Sequence, residues 1–195
     1  MNTFTYLIGQ NLYINLTNKC DNHCGFCIRN NNDGINDYKL WLDNEPTVDE
    51  VIELIKNEKA NFNEVVFCGF GEPTYRVDAI IEIAKFAKEK GYKTRINTNG
   101  HADLINNKRV APLFKGIIDV VNVSLNASNK EKYNKECNPS FENAYDAMIQ
   151  FAKDCKDQGI DVVFSVVSSI GEEEIEKCRE VASDHNIRYR VREKV

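Results

Sequence analysis

Strand-like and helix-like stretches alternate along the whole 195-residue chain, which predicts an α/β fold built on a parallel sheet. Two observations carry the prediction. Six short runs rich in β-branched and aromatic residues are each separated by a run with helical spacing, and Gly91 and Gly159 stand where two of the helical patterns stop. A third observation bounds the size: 42% hydrophobic and 28% charged residues suit one domain, spanning residues 1–195, with enough apolar side chains for a sizeable core.

Residues 11–17 (NLYINLT) read as a short, mostly apolar strand that runs directly into cysteines 20, 24 and 27, so those cysteines sit on a loop. After an Asn-rich stretch over 30–37, Thr47 and Glu50 form a capping-box pattern ahead of Val51, Ile52, Leu54 and Ile55 at helical spacing, the first helix. A strand over 64–68 (EVVFC), a helix over 77–90, a strand over 93–97 and a weaker helix over 109–115 follow. Next come a strand over 119–125 (DVVNVSL), a helix over 141–157 and a strand over 162–167. A helix over 172–184 opens on acidic residues, as the helix dipole favours, and a strand over 187–191 ends the series. Such alternation implies right-handed crossovers and a sheet that is either doubly wound or curled into a partial barrel; periodicity does not choose. In both, chemistry belongs at the carboxyl ends of the strands.

The net charge of −5 gives no electrostatic footprint for general nucleic-acid or anionic-membrane binding. The opening MNTFTYLIGQ lacks a basic start and an apolar run, and no later segment approaches the roughly 20 apolar residues that cross a bilayer. A cytoplasmic location is expected. In that reducing compartment seven cysteines, an odd number, serve as thiols, metal ligands or catalytic groups instead of a disulfide framework.

Cys20-Asp-Asn-His-Cys24-Gly-Phe-Cys27 has the form CxxxCxxC directly after a strand. Thiolates at these spacings on a tight loop can converge on one iron–sulfur cubane, and three ligands for four irons leave one iron open to a substrate. A structural zinc site with His23 as fourth ligand is the alternative, since three cysteines and a histidine are a legitimate zinc set. Against it, His23 adjoins Cys24, and no second Cys/His pair at zinc-ribbon spacing follows.

The cysteine motif, with aromatic Phe26 before its last cysteine, resembles the hallmark of the radical S-adenosylmethionine (SAM) superfamily. The resemblance implies an α/β, TIM-like partial (βα)6 barrel, a [4Fe–4S] cluster on Cys20, Cys24 and Cys27, and SAM bound through the fourth iron with Phe26 close by. Gly69-Phe70-Gly71-Glu72-Pro73-Thr74 resembles the family motif that holds the SAM amino group, although Phe70 stands where the first glycine of a pair is usual. Close approach of backbone to a ligand favours glycine and an ammonium favours a carboxylate, so Gly71 and Glu72 are expected on SAM. Asn97-Thr98-Asn99-Gly100 is both a turn signal and similar to a family motif, placing Asn97 in the SAM site. Ser124 and Asn126 alternate with Val123 and Leu125, and the family binds the SAM ribose and carboxylate at this strand end.

The resemblance further implies an electron donor such as flavodoxin or ferredoxin. It also implies reductive SAM cleavage to a 5′-deoxyadenosyl radical, which takes hydrogen from a small molecule or nucleoside as in compact 7-carboxy-7-deazaguanine synthase-like enzymes. Glycyl-radical formation on a partner protein is the alternative, for which no ferredoxin-like insert speaks. Within the superfamily, the compact length, residues 40–46 (LWLDNEP) and the Tyr133…Cys137 segment resemble the small members associated with TatD-family nucleases. Cys137, expected on a loop after the fourth strand at the active face, is the candidate catalytic side chain, as a hydrogen-atom donor or substrate partner. Cys155 and Cys178 fall at apolar helix positions and Cys68 reads as core-lining. His101 and His185 read as solvated, residues 172–174 as a helix start, and Arg188, Arg190 and Arg192 as a basic face of the last strand, either a solvated edge or a site for a substrate anion.

Overall fold

A computed structural model describes residues 2–193. Strands β1 (Thr5–Ile8) and β2 (Asn11–Ile14) form a hairpin whose two-residue turn begins at Gly9, with φ +60°. A small hairpin, β3 (Gly34–Ile35) with β4 (Tyr38–Lys39), follows the cysteine loop. Helix α1 (Val48–Asn57) starts on the expected capping box: Glu50 N donates to Thr47 Oγ1 at 3.2 Å and Thr47 N to Glu50 Oε2 at 2.8 Å. Then come β5 (Glu64–Phe67), α2 (Val77–Glu89), β6 (Lys93–Thr98), α3 (Ala102–Asn106), α4 (Ala111–Phe114) and β7 (Val120–Ser124). The chain continues through α5 (Lys130–Cys137), α6 (Ala144–Asp157), β8 (Asp161–Val167), α7 (Glu172–Asp184) and β9 (Arg188–Arg192).

The main sheet has seven strands in the order β1-β2-β5-β6-β7-β8-β9, antiparallel between β1 and β2 and parallel throughout the rest. This order never reverses, whereas a doubly wound sheet must reverse at its switch point. Every crossover therefore winds the same way and the sheet curls, which gives the partial barrel and sets aside the doubly wound alternative.

The alternation along each strand divides the sheet into two chemistries. Leu12, Ile14, Val65, Phe67, Ile96, Val121, Val123, Phe164 and Val166 are buried in the core shared with the helices. Each such side chain contributes about 1.5–3 kcal/mol. The other face carries Glu64, Arg95, Asn97, Asn122 and Ser124, with Arg95 and Glu64 paired at 2.7 Å near the amino ends of their strands. A polar, mostly half-buried sheet face of this kind lines a lumen.

Several expected elements change. The first strand ends at Ile14, because Asn15 leaves the ladder to donate from Nδ2 to Leu40 O at 2.8 Å. The weak helix over 109–115 shrinks to α4, and the helix over 141–157 begins at Ala144. β1, α3 and α5 are additions, and α5 occupies the stretch read as a loop.

Candidate active site

Cys20, Cys24 and Cys27 are half-buried and line one cavity of about 290 Å³ at the carboxyl ends of the parallel strands. Phe26, Gly71, Glu72, Asn97, Asn122, Ser124 and Asn126 line the same cavity. Every cofactor position named from the sequence is thus brought together, and the cysteine loop that starts the set is clamped from two sides.

On one side stands Gly71. A Cβ there would lie 2.3 Å from Thr17 O and 2.6 Å from Lys19 O, and Glu72 N donates to Lys19 O at 2.8 Å. The sequence reading explained this glycine by the approach of a ligand; the close neighbour is the chain's own backbone, one residue before Cys20. On the other side the loop docks on the end of α5. His23 N donates to Cys137 O at 2.9 Å, Gly25 N to Glu136 O at 3.3 Å, and Ser140 N to Asp21 O at 2.9 Å. The first two bonds satisfy carbonyls that a helix end leaves open, and the third ties the chain after α5 to a carbonyl of the cysteine loop.

Buried polar side chains join the two clamps. Glu72 Oε1 accepts from Thr74 N, Thr74 Oγ1 and Thr98 Oγ1 at 3.1, 2.7 and 2.7 Å, while Oε2 accepts from Asn99 N at 2.7 Å. Burial pushes the Glu72 carboxyl up, against the pull of these donors. Oε2, with one donor, keeps capacity for a second. Asn99 Nδ2 donates to Asp21 Oδ1 at 2.7 Å, and Asp21 Oδ2 meets His101 Nδ1 at 2.5 Å. Burial opposes the Asp21 charge, yet its bonds from His101 and Asn99 outweigh that and hold the carboxyl below its ordinary value. His101 Nε2 then meets Tyr133 Oη at 3.1 Å, and Asn22 Nδ2 donates to the same hydroxyl at 3.1 Å.

His101 is fully buried, contrary to the solvated placement read from sequence. Gly100, with φ +85°, turns the chain inward just before it. Asp21, His101 and Tyr133 were all missed, since only the fold reveals that a polar residue inside the cysteine motif faces the end of β6.

Burial, then the nearby Glu72 carboxylate, pushes the Cys20 thiol up to about 12. Cys24 is raised by a hydrogen bond with Cys137 and by burial, and Cys27 by burial. The Arg29 guanidinium opposes the rise at all three, and its Nη1 is anchored on Asn18 O at 3.2 Å. Arg29 is a further residue beside the cysteines that the motif did not mark. Thiols that resist ionisation in a dry site become ligands when metal replaces the protons.

Cys137 is the last residue of α5, fully buried, with its sulfur beside Cys24 and 3.9 Å from Asn126 Nδ2. The expected place on an open loop is corrected: Asn129 caps the helix by accepting from Lys132 N at 3.0 Å, and two turns carry Cys137 beneath the cysteine loop. Cys155 and Cys178 are buried in α6 and α7 as read. Cys68 lines the cavity instead of the core.

The donor set fits an iron–sulfur cluster and an elongated polar ligand. Asn22 Oδ1, Asn122 Oδ1, Asn126 Oδ1 and Arg192 Nε are buried without partners among the described residues, and all four residues line the cavity. Unpaired buried atoms concentrated in one cavity are what a bound polar ligand would satisfy. His23, by contrast, lies outside the cavity lining and directs Nδ1 toward Asn138 O at 3.4 Å, so the three-cysteine-plus-histidine zinc set is not assembled.

Fold and site together define an α/β partial barrel with a three-cysteine cluster loop at its carboxyl mouth. The profile of the radical SAM superfamily matches residues 14–184, and the chain belongs to that superfamily. The chain is 30% identical over 151 residues to an Fe-coproporphyrin III synthase of Methanosarcina barkeri, covering 76% of this chain and 34% of that protein. It is 28% identical over 171 residues to a putative glycyl-radical enzyme activating enzyme of Methanocaldococcus jannaschii, 85% of this chain and 65% of that one. Against a probable GTP 3′,8-cyclase of Thermococcus kodakarensis identity is 35% over 127 residues, 64% and 38% of the two chains. The chain therefore spans one third to two thirds of the length of these relatives. Among solved structures, Streptococcus suis SuiB bound to S-adenosylmethionine superposes with TM-score 0.71 at 19% identity, over 96% of this chain and 40% of that one. The enzyme anSMEcpe with bound AdoMet gives 0.68 at 14%, over 94% and 50%. Both share the fold. Members of this superfamily use a [4Fe–4S] cluster and SAM, and membership sets aside the non-catalytic zinc reading. Among the described residues no helix is long and apolar enough to cross a membrane.

Proposed function

We propose that this chain is a single radical SAM core domain that abstracts hydrogen from a small molecule or nucleoside, with Cys20, Cys24 and Cys27 as the cluster ligands. The observation that carries the reading is the cavity itself, where the three cysteines share one wall with unpaired polar atoms from the strand ends. When bound, the cluster and SAM supply a 5′-deoxyadenosyl radical. The protein's residues bind, orient and exclude water. Glu72 Oε2 offers its spare acceptor capacity to the SAM ammonium, Asn97, Ser124 and Asn126 to its ribose and carboxylate, and Phe26 and Gly71 shape the wall beside them. Arg29 steadies the thiolates.

A small-molecule substrate is supported by the names of two relatives, the coproporphyrin synthase and the GTP cyclase. The likeness to the activating enzyme favours the second reading, a glycyl radical formed on a partner protein. Flavodoxin or ferredoxin is the proposed reductant and the cytoplasm the proposed location; the acidic net charge of −5 argues against general nucleic-acid binding. Residues 40–46 and the Tyr133…Cys137 segment support a place among the TatD-associated small members.

The test is anaerobic reconstitution followed by dithionite and SAM. Wild type is expected to hold about four irons and release 5′-deoxyadenosine, and Cys20→Ala, Cys24→Ala or Cys27→Ala to lose both, while Cys155→Ala keeps both. The small-molecule fraction of a cell extract should raise 5′-deoxyadenosine formation. Stimulation by the protein fraction alone, with a glycyl-radical signal in electron paramagnetic resonance, would select the partner-protein reading instead.

A further inference from the structure

We propose that the cavity contains a recognition site for an anionic group of the substrate, a carboxylate or phosphate, read by the guanidinium of Arg192. The inference rests on the small-molecule reading and deepens it.

The three arginines of β9 share the lumen face, in register with Val163, Ser165 and Val167 of β8. Their surroundings separate them. Arg188 is spent on Asp161, with Nε 3.0 Å from Oδ1 and a second bond from Nη2 to Oδ2. Arg190 is exposed at the sheet's edge strand. Arg192 reaches into the cavity, where its Nε is buried and bonds to nothing among the described residues. No described carboxylate lies within salt-bridge distance of it. Of the two acidic side chains of the cavity lining, Glu72 accepts four hydrogen bonds and Glu193 one from Ser168 Oγ at 3.1 Å, and neither forms an ion pair with Arg192.

A guanidinium cannot escape this situation by losing its proton, so desolvation acts on a permanent charge. Burial does pull its proton affinity down, and the ionisable groups acting on it are Cys68, a thiol that burial keeps protonated, and Arg190, a like charge. A fork of five donors, unpaired and aimed into a cavity, is complementary to a planar or tetrahedral oxyanion. SAM brings a carboxylate of its own, but its amino-acid end belongs beside the cysteines and Glu72. Arg192 stands on β9, two strands away from β7, at whose end lie the Ser124 and Asn126 proposed for SAM's carboxylate. The anion it awaits is the substrate's.

Reconstituted, SAM-loaded protein titrated calorimetrically with pyrophosphate and with succinate tests this. Wild type should bind at least one of them saturably. Arg192→Gln should weaken that binding by about 10- to 150-fold, the range for losing charged hydrogen bonds, and Arg192→Lys by less. Equilibrium dialysis should find SAM affinity within about twofold of wild type in both variants. Without any anion, Arg192→Met should melt no lower than wild type, because a half-buried charge with no ionic partner among the described residues has been removed. Failure of wild type to bind either anion, unchanged anion binding in Arg192→Gln, or a lower melting point of Arg192→Met overturns the proposal. So does a parallel loss of SAM affinity, which would assign the guanidinium to SAM's carboxylate. None of these outcomes touches the small-molecule reading, which stands or falls on the extract assay.

Discussion

Replacing Gly71 by alanine tests whether this glycine positions the cluster loop. The added methyl carbon would stand 2.3 Å from Thr17 O and 2.6 Å from Lys19 O, both backbone atoms. Relief to 3.0 Å requires the first to move by 3.0 − 2.3, about 0.7 Å, and no flexible side chain can absorb it. Overpacking of this kind costs about 1–3 kcal/mol, and the displaced Lys19 carbonyl also loses the amide of Glu72. For a chain of 195 residues that corresponds to a melting point lowered by about 2–12 °C. Cys20 adjoins the displaced carbonyl, so iron retained after reconstitution should fall as well. Gly25 supplies the control: it lies inside the cysteine motif, yet a Cβ there meets nothing within 4 Å and its φ is not positive. Gly25→Ala should therefore melt with wild type. Iron and sulfide analysis alongside calorimetric melting decides, and a Gly71→Ala protein that keeps both its iron and its melting point would refute the reasoning.

Asp119 accepts from Lys88 Nζ at 2.6 and 2.8 Å and from Thr94 N at 2.8 Å, tying α2 and β6 to the start of β7. Burial opposes its charge but these donors outweigh it, so its carboxyl lies below the ordinary value. A depressed acid contributes stability above its unfolded pKa and loses it as pH falls through the folded one. Asp119→Asn should accordingly melt lower at neutral pH, by about 2–4 °C for a screened contribution near 1 kcal/mol, with the gap closing in acid; a pH-independent gap would contradict the assignment. Cys137→Ala should retain its iron and lower the cluster's reduction midpoint. Once Cys24 is a thiolate only the Cys137 S–H can donate between them, and donors to cluster sulfurs stabilise the reduced state. A redox titration that finds the wild-type midpoint would remove that bond from the account.

The order of strands and the cluster loop were legible because both depend on local pattern: apolar runs, helix stops and cysteine spacing. What escaped notice was set by surroundings. In α5, Tyr133 and Cys137 are the two buried residues, so its apolar face is two side chains four apart among charged neighbours. Its signal was the capping Asn129 and that one pair. β1 escaped because Gly9-Gln10 is a weak hairpin signal and the strand is four residues long. His101 looked solvated because nothing in its neighbours announces Asp21, 80 positions earlier, as its partner. The second glycine of GxGEP lines the cavity and also packs against the chain's own backbone at Thr17 and Lys19, a neighbour that local pattern does not announce.

The same contacts that hold the cluster loop also hold the cavity wall at the ends of β5 and β6. Glu72 binds Thr74, Thr98 and Asn99, the residues that end β6 and begin the turn after β5, and its own amide fixes Lys19 beside Cys20. Its carboxylate is thus a structural acceptor first, with spare acceptor capacity on Oε2 alone left over for a ligand. Removing it would strand four donors in a buried place, at a cost of about 1–3 kcal/mol for each left unsatisfied. Glu72→Gln, which keeps an acceptor oxygen, is therefore the informative variant for SAM affinity, since Glu72→Ala would mix the loss of a ligand contact with the collapse of the turn that makes the contact meaningful.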